Sequence, residues 1–203
     1  PDRPADQIEQ IHAMMTRSTT FVSLSGLSGV AAGLVAFGAV WQIHRLLHTL
    51  WLTDNVFTML RDAPDKVLAL AGIFLWTLIG ALALAFLFTW RRSRRNHLGL
   101  WNIASRRFAM RLALPLIAGG AFIVALGLRG SYEMICPAML IFFGLALLNA
   151  GKYSFTEIVV LGTTELALGL VAAFWPEGGL LLWGAGFGIA TAGYGILMYL
   201  KHE

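Results

Sequence analysis

Six apolar runs, each about as long as a lipid bilayer is thick, dominate this chain. They cover Thr20–Trp41, Val67–Trp90, Phe108–Leu128, Glu133–Ala150, Phe155–Trp175 and Leu180–Leu200. Roughly 20 apolar residues in a helix cross the ~30 Å hydrocarbon layer. That layer offers no water to the backbone, so a spanning segment is a helix or part of a closed barrel. Barrel strands alternate in polarity over about 10 residues, whereas these runs are continuous over roughly twice that length. The sequence therefore predicts an all-α polytopic membrane protein, with six transmembrane helices in one bundle over residues 1–203. Composition agrees: 13% of the residues are charged, against about 25% in soluble domains.

Charge between the runs sets the expected orientation. Of 15 Lys and Arg residues, only Arg45, Arg61, Lys66 and Arg129 lie on the side away from the N-terminus. Basic residues in short loops stay in the cytoplasm, so both termini are expected there, in a bacterial inner membrane. The first run follows a polar, partly acidic stretch and is too long for a signal-peptide core, so it is expected to remain as a membrane helix. A single cysteine, Cys136, excludes an intrachain disulfide and a metal site built from several thiolates.

Three segments lie outside the spans. Residues 1–19 read as a cytoplasmic amphipathic helix: Asp6 and Glu9 resemble a capping box, and Ile8, Ile11 and Met15 share a face. Residues 42–66 read as an outer interfacial loop. Its Leu46, Leu47, Leu50, Trp51, Phe57 and Leu60 are expected to rest on the bilayer surface, with Asp62 and Pro64 starting the next helix. Residues 91–107, "RRSRRNHLGLWNIASRR", carry no acidic side chain. Arg91, Arg92, Arg94, Arg95, Arg106 and Arg107 suit anionic lipid headgroups, at about 1 kcal/mol per basic residue. An acidic protein partner is the alternative. The loop is too short for a nucleic-acid platform, and no nucleic-acid partner is expected. Asn149, Lys152 and Tyr153 read as interfacial anchors.

A weak repeat links the last two hairpins. "ALGL" occurs at 125–128 and 167–170, and Gly144 and Gly151 match Gly188 and Gly195 at an offset of 44. Spans three and four thus read as a copy of spans five and six, a parallel repeat. The stretch "LGTTELALGLVAAFWPEGGLLLWGAGFGIATAGYGILMYL" is similar to the hairpin unit of the HdeD-like acid-stress membrane proteins, in which a glycine-punctuated helix ends in an aromatic-Pro turn and returns as a second glycine-rich helix. "RSTTFVSLSGLSGVAAGL" together with the final hairpin also resembles an uncharacterised family of small bacterial six-span proteins. The first resemblance implies a six-span fold and a stress-associated role, and neither brings a catalytic residue.

Glu165 carries the sharpest chemistry. Ser154 and Glu157 form a capping-box pattern that starts the fifth helix near Phe155, and Pro176 ends it. Glu165 is then at the middle of the span. An acid there costs about 2.5–3.5 kcal/mol to insert, so it faces protein or water and not lipid. Gly162, Gly169 and Ala172 share its face, which lets another helix approach closely. With no Lys or Arg at that depth, the neutral form is expected, donating a hydrogen bond to a hydroxyl or carbonyl. Ser28 of the first span and Thr191 of the sixth lie at matching depths. Ser25, Ser28, Thr191 and Tyr194 are the candidate hydrogen-bond or polar-path partners.

Other features are weaker. Ser25, Gly29 and Gly33 repeat at four-residue spacing, as do Gly184 and Gly188, and both sets read as helix-packing faces. His44 and His48 would share one face of a helix, but no Cys, Asp or Glu joins them. No metal site, redox cofactor or catalytic residue is expected. The readings that follow are a non-enzymatic accessory or stress-associated membrane protein, and a small channel or proton-linked transporter built on Glu165. The glycine faces also admit a homo-oligomer.

Overall fold

The computed structural model of the chain describes residues 26–95, 103–151 and 156–202. Among them every regular element is helical, and six helices are long and apolar enough to cross a membrane. The elements are α1 (Gly26–Leu47), α2 (Asp54–Asp62), α3 (Pro64–Arg95), α4 (Ile103–Leu128), α5 (Ile135–Gly151), α6 (Thr156–Phe174), α7 (Gly179–Trp183) and α8 (Thr191–His202). A π-helical segment, Gly184–Ala190, joins α7 to α8, so the sixth span runs unbroken over Pro176–Lys201. The N-terminal amphipathic segment, Ser25, Lys152, Tyr153 and the capping pair's Ser154 lie outside the described residues.

Four spans form the interior: α1, α5, α6 and the sixth. The spans α3 and α4 flank them, α3 packing on α1 and α4 on α5. Their burial differs accordingly. None of the apolar window of α3 is buried within the protein, against half of that of the fourth span. Trp76, Leu82 and Phe86 on α3 and Leu114 and Ile117 on α4 point outward, as lipid-facing side chains do.

Glycine decides where the inner helices touch. A Cβ on Gly144 would lie 2.6 Å from the backbone nitrogen of Leu166, and one on Gly26 would lie 2.5 Å from that of Tyr199. No real side chain fits at those distances, so α5 meets α6, and α1 meets α8, backbone to backbone. Close approach of this kind supplies van der Waals packing and replaces the hydrophobic drive that lipid cannot give. The repeat acquires a structural meaning here. Gly144 and Gly151 press on α6, at Leu166 and Val159; Gly188 and Gly195 press on α1, at Phe37 and Val30. The second helix of each hairpin thus packs on the first helix of another. Both hairpins also turn through one 3₁₀ turn, Tyr132–Met134 and Pro176–Gly178.

The segment over residues 42–66 departs from expectation. The helix α1 continues to Leu47 and then stops at His48, whose φ of 57° is a left-handed helix cap. After a short link comes α2, and Phe57 and Leu60 on its apolar face are buried in protein and not spread on lipid. Leu47 and Leu50 pack against the same core, with Cys136, Leu180 and Trp183. The reason is that core residues at this end of the bundle present apolar surface, and Phe57 of α2 packs into the same cluster as Cys136, Leu180 and Trp183. Polar ties hold it there. The Leu52 N–H donates to the Glu177 carbonyl at 2.8 Å, and Arg61 donates to the Gly130 carbonyl at 3.1 Å and to Glu133 at 3.3 Å. Gly130, at φ 70°, makes the sharp exit from α4 that presents this carbonyl. We call this the capped end and the opposite one the basic end.

Candidate functional site

The fifth span, α6, is apolar nearly all round, and its small residues face inward. Gly162 packs on Gly144 and Leu147, and Gly169 on Ile141 and Leu140, so the face predicted to receive a helix receives the fourth span. Glu165 lies between these glycines at the centre of α6 and is 0% exposed. Ser28, Glu165 and Thr191 are the buried polar side chains among the described residues.

The carboxyl group sits where the fourth and sixth spans meet α6. Leu140 closes one side, and the backbone of Gly186 lies so close that a Cβ there would collide with Glu165 Oε2. Thr191 Oγ1 lies 3.4 Å from Glu165 Oε1 and 3.2 Å from the Gly186 carbonyl oxygen. Glu165 Oε2 is buried with no hydrogen-bond partner. A buried polar atom without a partner is uncommon and marks strain, function or a missing ligand.

The π-helical segment brings these groups together. Gly184, Gly186 and Gly188 alternate along it, and residues without a Cβ accept the wider turn at little steric cost. The widening lets the Thr191 backbone N–H reach the Gly186 carbonyl, five residues back, while its hydroxyl lies over the same carbonyl. Such π turns recur at functional sites because they re-aim a few groups without ending the helix.

The sequence candidates separate cleanly. Thr191 meets Glu165, as its depth suggested. Ser28 does not: α1 packs on the sixth span and α3, so the sixth span stands between Ser28 and α6. Depth matched for both, but only lateral placement decides a contact. Tyr194 packs in a different cluster, beside Phe108, Leu147 and Ile158, and its buried hydroxyl has no partner. Gly29 and Gly33 form the predicted packing face, against Gly195 and Ala192, and Gly184 and Gly188 meet Val40 and Phe37 of α1. Asn149, expected as an interfacial anchor, donates to the Arg111 carbonyl at 2.8 Å and ties α5 to α4. Arg91, Arg106 and Arg107 are exposed at the basic end. Arg92, Arg94 and Arg95 continue α3, and their side chains lie outside the described part. His44 is on α1, but His48 is its left-handed cap, so the pair does not share a helix face; both are exposed.

Gly186 went unnoticed in the sequence. Its signal was the alternating Gly184, Gly186 and Gly188 followed by Thr191, a pattern that reads as simple packing until the π turn is seen. A groove of 460 Å³ lies at the capped end, among Asp54, Arg61, Glu133, Trp175 and Glu177. Comparison with protein-family models, curated proteins and solved structures finds no match to this chain.

Proposed function

We propose that this is a non-enzymatic multi-pass protein of a bacterial inner membrane, with an accessory or stress-associated role, in which Glu165 is a proton-binding tie between spans five and six. The observation that supports this best is the Glu165–Thr191 pair. An ionisable group buried at mid-span is costly and is kept where it works. Here it joins two packed helices through one hydroxyl, so gain or loss of its proton acts on helix packing. The resemblance of the last hairpin to the HdeD-like acid-stress proteins points the same way. In this reading the basic end is cytoplasmic, with its arginines on anionic headgroups. A second reading is proton-linked transport, favoured by the unpartnered Glu165 Oε2.

The test compares wild type with Glu165→Gln by thermal unfolding across pH and by pH-driven flux in liposomes. A pH-dependent stability that Glu165→Gln flattens, without flux, supports the tie. Flux that the variant abolishes supports the transporter. Identical pH profiles of stability and flux in the two proteins overturn both.

A further inference from the structure

The geometry around Glu165 points to a binding site for a small dehydrated monovalent cation of the sodium class, formed by the Glu165 carboxylate, the Thr191 hydroxyl and the Gly186 carbonyl. This site rests on the proposed role of Glu165 as a working ion-binding group and not only a structural contact.

Oxygen spacing is the first argument. Hard cations of this size take oxygens at about 2.3–2.6 Å. Two oxygens bound at roughly 2.4 Å and a right angle to one another stand about 3.4 Å apart. The Thr191 hydroxyl oxygen is 3.4 Å from Glu165 Oε1 and 3.2 Å from the Gly186 carbonyl. These contacts are long for hydroxyl hydrogen bonds, whose usual spacing is about 2.7–2.8 Å. The same spacing fits neighbouring ligands around one ion.

One oxygen of the carboxylate is also unused. Glu165 Oε2 is buried without a partner, beside Gly186. A cation held between the two carboxylate oxygens, the hydroxyl and the carbonyl would satisfy it. Thr191 is then free to turn its proton to the carbonyl one turn back, an ordinary helical partner for threonine.

Charge selects the valence. Between Glu157 near one end of α6 and Glu177 beyond the other, Glu165 is the sole charged residue of the fifth span. The packed helix α5 carries no charged side chain and its titratable group is the Cys136 thiol, while Tyr132 and Glu133 lie in the 3₁₀ turn before it at the capped end, Glu133 paired with Arg61. From the sixth span the titratable groups are Glu177 at the capped end, Tyr194 and Tyr199, with Lys201 paired to Glu157 at the basic end. One carboxylate is therefore neutralised by one monovalent ion, and a divalent ion would leave a net positive charge in the hydrocarbon layer. Irregular helix carbonyls beside a mid-membrane carboxylate are a general way to hold such ions. The π turn supplies that carbonyl here.

The experiment is thermal unfolding of the full chain in detergent, in sodium, lithium, potassium or choline chloride at equal ionic strength, at acid and alkaline pH. Sodium is expected to raise the Tm above choline at alkaline pH, by roughly 3–5 °C for a tenfold excess of ion over its Kd. Protons compete for the same carboxylate, so the shift is expected to vanish at acid pH. Thr191→Val is expected to lose most of the shift and Thr191→Ser to keep it, a pair that stands even where Glu165→Gln does not fold. Equal Tm in sodium and choline at every pH overturns the cation site, as does a sodium shift that Thr191→Val and Glu165→Gln both retain. If the pH dependence of stability persists while sodium has no effect, the cation site fails and the proton tie stands. If neither pH nor sodium acts, both fail.

Discussion

At the residue scale the most unusual feature is one buried carboxyl group and what surrounds it. Glu165 is fully buried, with the Gly186 backbone beside one carboxylate oxygen and the Thr191 hydroxyl 3.4 Å from the other. Thr191→Val keeps the shape and removes the hydroxyl. Hydrogen bonds between membrane helices are worth about 0.6 kcal/mol on average and up to about 1.7, so the loss is expected in that range by reversible unfolding. Gly186→Ala acts from the opposite side. Its Cβ would enter the space of Glu165 Oε2 and of Leu140, whose Cδ2 lies 2.7 Å away. Overpacking of this kind costs about 1–3 kcal/mol, and the variant is expected to unfold at lower temperature and to lose any pH response carried by Glu165. That Glu165 faces protein was legible in the sequence from depth and charge alone. Its neighbour Gly186 was not, because a glycine in a glycine-rich helix carries no mark of what it touches.

At the element scale, two helix crossings carry the inner bundle. The α1–α8 crossing is so close that a Cβ on Gly195 would collide with the backbone of Gly26, Gly29 and Val30. A backbone cannot move aside as a side-chain tip can, so Gly195→Ala is expected to cost at least as much as Gly186→Ala, at or above about 1–3 kcal/mol. Gly193→Ala on the same helix meets no atom within 4 Å. It is expected to be neutral or slightly stabilising, because alanine is the better helix former. Measuring both by thermal unfolding separates packing from propensity. The spacing of Gly29 and Gly33 showed in the sequence that a helix would pack there; that the partner is the sixth span, and not a second copy of the chain, required the fold.

At the scale of the whole molecule, the capped end ties the hairpins together. Two kinds of interaction hold α2, and their magnitudes differ. The Arg61–Glu133 pair is 49% exposed at the arginine, and exposed ion pairs contribute about 0–1 kcal/mol. Phe57 is buried among core residues, and truncating such a ring costs about 3–5 kcal/mol. Phe57→Ala is therefore expected to release α2 and lower stability strongly, whereas Arg61→Ala is expected to lower it slightly, and less at high salt. Proteolysis between Thr49 and Pro64, followed with time, reads the same release. The sequence treated this segment as resting on lipid, since an apolar helix face looks alike whether it meets lipid or protein.

The sequence by itself determined that the chain is a bundle of six apolar helices, because no other backbone arrangement satisfies runs of that length in hydrocarbon. It also determined which residues are small enough for close packing and which acid lies at mid-span, since both depend only on residue type and distance along a helix. Tertiary structure alone decided the lateral order of the helices. That order made Thr191 and not Ser28 the partner of Glu165, turned α2 inward and set Gly186 against a carboxylate. The physical reason is that depth along a helix is a local property of the chain, whereas the neighbour at a given depth follows from how all the helices pack at once.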